Sequence, residues 1–209
     1  MYDIRDGNTY PVRKLADGNC WMTSNLKYTL TANSTAIGVN HSTNETFTFN
    51  TGATCATDGA CIMNGNTVMT EQVTNGGYYY NWYAATAGTG TSSMASGDAT
   101  GSICPKGWRL PANYTSDQNR SFSNITLAYL NISDSIEGDY TTILEDAPIR
   151  SFRSGFYIDA SYFGGYGVYR TSTASGNSNS FRFGYDENGV FTQVSDAKSR
   201  GFSVRCVAQ

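Results

Sequence analysis

Five cysteines and one histidine bound the chemistry open to this chain. The cysteines are Cys20, Cys55, Cys61, Cys104 and Cys206, with no Cys-x-x-Cys pair among them. His41 stands alone in a Thr/Asn-rich stretch, so a zinc site is not expected. A Ser/His/Asp triad would have to use that histidine, and no Gly-x-Ser-x-Gly elbow accompanies it. The pairs Glu145-Asp146 and Asp186-Glu187 are adjacent in sequence, so on a strand or turn their carboxylates point apart. Asp134, Glu137 and Asp139, or Asp98, offer oxygen ligands for calcium, but no EF-hand loop is present. The expectation is therefore a protein that is not an enzyme and has no cofactor, with calcium left open.

Cross-linking is the chemistry these cysteines do suit. Cys55-Ala-Thr-Asp-Gly-Ala-Cys61 has an Asp-Gly turn at its centre and suits a small closed disulfide loop; two reduced thiols are the alternative. The tail Gly201-Phe-Ser-Val-Arg-Cys-Val207 reads as a strand, with Phe202, Val204 and Cys206 on one face and Ser203, Arg205 and Val207 on the other. Cys206 then faces the core, and its best partner is Cys104, just before the apolar Trp108 and Leu110. Cys20 is left over, either free or paired with a cysteine upstream. Disulfides place the chain outside the cell, secreted or at the surface.

The elements that must position these residues are mostly strands and turns. Charged residues are only 15%, aromatics are 13%, and Gly and Tyr number 22 and 15, which suits short strands and tight turns better than a helical bundle. A net charge of -3 without a Lys/Arg cluster argues against nucleic acid as a partner. No apolar run approaches the ~18 to 20 residues that span a bilayer, so no membrane insertion is expected. Met1 is followed at once by Tyr2-Asp3-Ile4-Arg5, which already reads as folded sequence, so missing targeting signals carry little weight.

Along the chain, residues 2 to 14 predict a hairpin around Asp6-Gly7-Asn8, and Asp17-Gly18-Asn19 a second turn. Residues 29–76 read as an elaborated surface insertion. Gly77-Tyr-Tyr-Tyr-Asn-Trp-Tyr-Ala-Ala85 reads as a buried strand, and Phe122, Ile125, Tyr129 and Leu130 predict a short helix over 121–130. Beyond Phe152 a curled succession of strands is expected, with Phe181, Phe183 and Tyr185 inward and Arg182, Gly184 and Asp186 opposite. Together these give a β-rich α+β fold in a single domain over 1–209, with one or two short helices and long irregular loops.

Six motifs in order carry a family resemblance. They are Tyr2-Asp-Ile-Arg-Asp-Gly-Asn-Thr-Tyr10, Trp21-Met22 with Asn25-Leu26, Tyr80-Asn81-Trp82, Cys104-Pro-Lys-Gly-Trp-Arg-Leu-Pro111, Thr171-Ser-Thr173 and Gly201-Phe-Ser-Val-Arg-Cys206. The set resembles the bacterial Fibrobacter succinogenes major paralogous domain. That resemblance implies a C-type-lectin-like fold, of the formylglycine-generating-enzyme branch, on secreted and surface proteins. The related oxidases need a reactive cysteine pair before the tail, and residues 151–200 contain none.

Some members of the broader group are variable proteins of diversity-generating retroelements, diversified in the C-terminal segment. Residues 151–200 fit such a ligand-binding region, because aromatic anchors among Gly, Ser and Asn resemble an antibody paratope. The candidate ligand-binding residues are Tyr157, Asp159, Tyr162, Phe163, Tyr166, Tyr169, Arg170, Asn177, Asn179, Arg182 and Asp186, with Phe152, Phe156 and Tyr185 in the same aromatic set. Many of these rings must also serve the core. Arg170 stands where relatives tend to carry a tryptophan, so it is either exposed or stacked on a ring, and exposure is the expectation. Ala112 replaces a commoner threonine, so the helix should start later, near Ser121. The expected partner is a protein or glycan ligand on another cell or surface. A structural surface-display or adhesin domain without a variable site is the alternative.

Overall fold

Asp17 organises the first hairpin: its carboxylate accepts the Asn19 amide at 3.1 Å and the Trp21 indole N–H at 2.8 Å. These bonds close the turn between β1 (Val12–Lys14) and β2 (Cys20–Met22), which pair antiparallel with Lys14 opposite Cys20. The hairpin expected over residues 2 to 14 is a short one: a Tyr2–Thr9 bridge flanked by bonds from the Asp3 amide to the Asn8 carbonyl and from the Tyr10 amide to the Met1 carbonyl. Arg5 lies 2.6 Å from Asp3 and donates to the Ile103 carbonyl. The computed structural model describes residues 1–5, 7–28, 77–87, 89–113, 120–131, 135–151, 153–158 and 161–209. It adds the backbone of three strands, β3 (Thr35–Ala36), β4 (Phe47–Thr48) and β5 (Ile62–Met63). Cys55, Cys61, His41, Asp134 and Phe152 lie outside the described residues, and so does the reading of the Cys55–Cys61 loop.

The architecture is β-rich with a few short helices, consistent with the α+β expectation. Its main feature is an eight-stranded sheet. Along it run β5, β6 (Tyr79–Tyr80), β15 (Phe202–Ser203), β12 (Gly167–Ala174), β13 (Asn179–Tyr185), β14 (Gly189–Ala197) and β9 (Ile136–Glu137), while β7 (Gly97–Asp98) also pairs with β12. A four-stranded sheet joins β1, β2, β16 (Val207–Ala208) and β8 (Trp108–Arg109). The ribbon of β10 (Phe156–Ile158) and β11 (Ser161–Phe163) stands apart from both, as does the pair β3–β4.

Two sequence expectations need correction. The aromatic run from Gly77 is a strand only to Tyr80, because the Asn81 side chain accepts the Ala84 amide at 2.9 Å and caps the helical turn α1 (Trp82–Ala85). The run is buried from Tyr79 onward all the same. The tail is not one strand with two unlike faces. It passes from the large sheet at β15 to the small sheet at β16, and all of Phe202 to Val207 is buried. Arg205 is held inside by donating to Asn25 Oδ1, the Ile149 carbonyl at 2.8 Å and the Arg150 carbonyl.

Helix α2 (Phe122–Leu130) follows Ser121, as the spacing predicts, and ends at Asn131 in a left-handed conformation. A short helix α3 (Thr141–Glu145) follows. Phe122 packs on one face of the large sheet, stacked on Phe183 at 4.9 Å and beside Trp21 and Tyr169. A second cluster surrounds the disulfide, with Met22, Leu26, Tyr80, Trp82 and Leu110 packed about Cys104 and Cys206. That bridge is the pairing expected from sequence, and Cys20 is a free, half-buried thiol.

The bridge closes a separation of 102 residues. Its loss should cost about 4 to 5 kcal/mol by loop-closure entropy, or roughly 10 °C in Tm, measured by calorimetry on the Cys104→Ala/Cys206→Ala variant. Tyr185 supplies a second expectation. Its hydroxyl is buried with no partner among the described residues, and burial pushes its pKa well above the ordinary value near 10. The unfolded chain therefore releases this proton above pH 10 while the folded chain keeps it, so wild-type stability falls as pH rises through that window. Tyr185→Phe should be neutral or stabilising at pH 7 in urea unfolding, and should gain on wild type above pH 10.

Candidate functional site

The face of the large sheet opposite Phe122 is built on Arg170. Strand β12 directs this side chain into the protein, where it is fully buried. Its Nε donates to the Tyr80 carbonyl at 3.2 Å and Nη1 to Ser180 Oγ at 3.0 Å. Nη2 donates to the carbonyls of Ala197, Lys198 and Arg200. The guanidinium lies over Phe202, with its carbon 4.1 Å from the ring centroid. The expected exposure of Arg170 is therefore corrected to the stacked arrangement. The reason is a ring of converging acceptors that only a guanidinium fork can fill. Burial pulls its pKa down to about 9, with Asp196 pulling it back up.

Phe202 carries the next layer. Phe156 meets it edge-on at 5.8 Å, stacks on Phe163 at 5.3 Å, and meets Tyr166 edge-on at 5.6 Å. Residues Phe163 and Tyr166 are each 42% exposed, so two rings that rest on the half-buried Phe156 face solvent. Gly155 makes the ribbon fit: its φ is +75°, and a Cβ there would lie 2.4 Å from the Phe163 carbonyl oxygen. Tyr162, opposite Tyr157 in register, leans back and donates to the Ser154 carbonyl at 3.2 Å.

Beside the rings lies a charged group. Arg182 Nε donates to Asp196 Oδ2 at 2.9 Å, and Arg200 Nη1 donates to Asp196 Oδ1. The guanidinium carbon of Arg182 is 5.7 Å from the Phe202 centroid. Gly184 allows this placement, since a Cβ there would come within 2.4 Å of Arg182 Nη1. A register shift between Arg182 and Gly184 lets the strand bend at the same point.

The structure brings together Phe163, Tyr166 and Arg182 of the sequence-predicted set, with Tyr162 behind them. Tyr169 points to the other side of the sheet and is buried against Phe122 and Phe183, so it belongs to the core. Asn177 is exposed in the turn before β13, where its carbonyl accepts the Lys198 ammonium at 2.9 Å, and Asn179 begins that strand. Asp186 closes the β13–β14 turn by accepting the Asn188 and Gly189 amides. Tyr157 is described only as strand backbone, and Asp159 lies outside the described residues. Sequence reasoning missed Phe202, taken as core alone, together with Asp196 and Arg200, which carry no motif.

Other polar sites are occupied by structural work. Asp98 accepts the hydroxyls of Ser172, at 3.2 Å, and Thr173, beside a cavity of about 230 Å³ also lined by Arg109 and Gln209. Asp139 accepts the Thr141 hydroxyl at 2.6 Å and its amide at 3.0 Å, which hold its pKa below the usual value. Among the described residues no three His, Cys, Asp or Glu side chains come together as a metal-ligand group. No helix among them is long and apolar enough to cross a membrane.

Arg170 gives this site a direct test. Arg170→Met should leave several buried acceptors without donors, and urea unfolding should record a loss of about 3 kcal/mol or more. Arg170→Lys keeps the charge but not the fork, so it should recover only part of that loss.

No curated protein and no solved structure matches the chain. The stretch that does match a family ends before the ribbon and the Arg170 stack begin. Over residues 16–115 the chain matches the model of the Fibrobacter succinogenes major domain, and this match supports that family for the protein.

Proposed function

We propose that this protein is a ligand-binding module displayed outside the cell, with the β10–β11 ribbon and the adjoining sheet face as its binding surface. One observation carries the reading: Phe163 and Tyr166 expose their rings while resting on the half-buried Phe156, which in turn packs on the buried Phe202 and Arg170. Rigid, half-exposed aromatics give contact area at small entropic cost, which is what a recognition surface requires. The Cys104–Cys206 bridge supports an oxidising compartment.

The reading extends to a non-catalytic role on a C-type-lectin-like scaffold, with residues 151–200 as the segment that diversification would alter. The described carboxylates at Asp139, Asp186 and Asp196 favour a binding role, since each is engaged in a turn or an ion pair. In sibling sequences, substitutions should concentrate at outward positions of that segment, while Arg170, Phe202 and Cys206 stay fixed beneath them. Substitutions spread evenly over the chain would contradict diversification.

Binding itself is tested by removing the rings. Phe163→Ala/Tyr166→Ala should weaken binding to ligands captured from a glycan and protein array tenfold or more, while Tm changes by only a few degrees. Unchanged binding in a folded double variant would remove the ribbon from the binding surface.

A further inference from the structure

Beside the aromatic ribbon, positive charge is in excess. Arg170, Arg182 and Arg200 gather about a single carboxylate, Asp196, in a chain whose net charge is -3. Arg170 and Arg182 are also cross-strand neighbours in register, a placement that like charges disfavour. Arg170 spends its donors on five acceptors. Arg182 and Arg200 do not. Among the described residues Arg182 bonds only through Nε and Arg200 only through Nη1, and both reach the same Asp196. Their side chains are 18% and 34% exposed, so part of each reaches solvent, and Arg182 lies beside the buried Phe202 ring.

Resting on the reading of this face as a ligand surface, we propose that Arg182 and Arg200 form an oxyanion site, and that the ligand is an acidic saccharide. A guanidinium with free N–H donors recognises carboxylate or sulfate oxygens. From there the buried Phe202 leads through Phe156, at 5.8 Å, to the exposed Phe163 and Tyr166, whose centroids lie 5.3 and 5.6 Å from Phe156. A uronate or sulfated sugar carries both matching features: a flat C–H face for the rings and an anionic group for the arginines. An extended acidic peptide would bring backbone N–H groups that need acceptors. The carboxylate here, Asp196, is already shared by two arginines.

Titration calorimetry at low salt tests this with tri-galacturonate and a chondroitin sulfate tetrasaccharide, against their methyl-esterified and desulfated forms. The expected result is saturable binding of at least one acidic form, tenfold or more weaker for its neutral counterpart and for Arg182→Gln and Arg200→Gln. Equal binding of acidic and neutral forms, or no effect of either substitution, would overturn the oxyanion site. Binding that is lost in Phe163→Ala/Tyr166→Ala but indifferent to the arginines would overturn it too, while leaving the ribbon as the binding surface. Tighter binding of oligoglutamate, or no binding of either acidic sugar, would overturn the saccharide. Inorganic sulfate gives a check free of sugar: it should shift the NMR signals of the Arg182 and Arg200 Nε–H groups saturably in wild type, and linear, unsaturated shifts would count against the site.

Discussion

A guanidinium buried on a phenylalanine ring determines how this protein's large sheet is finished. Arg170 sends donors to Tyr80 in β6, Ser180 in β13 and the 197–200 segment that leaves β14, and it lies on Phe202 in β15. Three stretches of the chain, at Tyr80, at Ser180 and over residues 197–202, therefore share one side chain. Removing a charge of this kind from water is costly, and the cost is met only because each of the three nitrogens finds an acceptor and the guanidinium finds a ring. The arrangement is all-or-none: losing the fork would strand several carbonyls at once.

The same stack explains why the outer surface can afford exposed aromatic rings. Phe163 and Tyr166 are not loose side chains on a loop; Phe156 lies between them and Phe202, and Phe202 lies on Arg170. On the opposite side of the sheet, Tyr169 and Phe183 close on Phe122. Strand alternation at Tyr169 and Arg170 thus separates a conventional apolar core from a layer of rings and arginines. The disulfide stands at a third place, tying the tail to Cys104 next to Trp82 and Leu110.

What was legible in the sequence was local. Phe122 and Ile125 at helical spacing marked α2, Asp17-Gly18-Asn19 marked the turn between β1 and β2, and the apolar surroundings of Cys104 and Cys206 marked their pairing. The failures share a physical cause. An aromatic run such as Tyr78 to Tyr83 signals burial, but one cap at Asn81 changes strand to helix inside it. Likewise, a pattern that counts arginine as polar sends Arg170 and Arg205 outward, whereas both are buried because carbonyls from remote segments converge on them. In the candidate site, Phe163, Tyr166 and Arg182 were visible by residue type. Asp196 and Arg200 were not, since only the β13–β14 pairing and the turn beyond it bring them to Arg182.

The central claim is that a buried Arg170 supports a surface on which Arg182 and Arg200 are partly exposed to solvent. Phenylglyoxal labelling of the native protein, read residue by residue by mass spectrometry, tests it without any ligand. Arg182 and Arg200 should react in the folded state, and Arg170 only when the protein unfolds. Modification of Arg170 at the rate of Arg200 in the native protein would contradict the account.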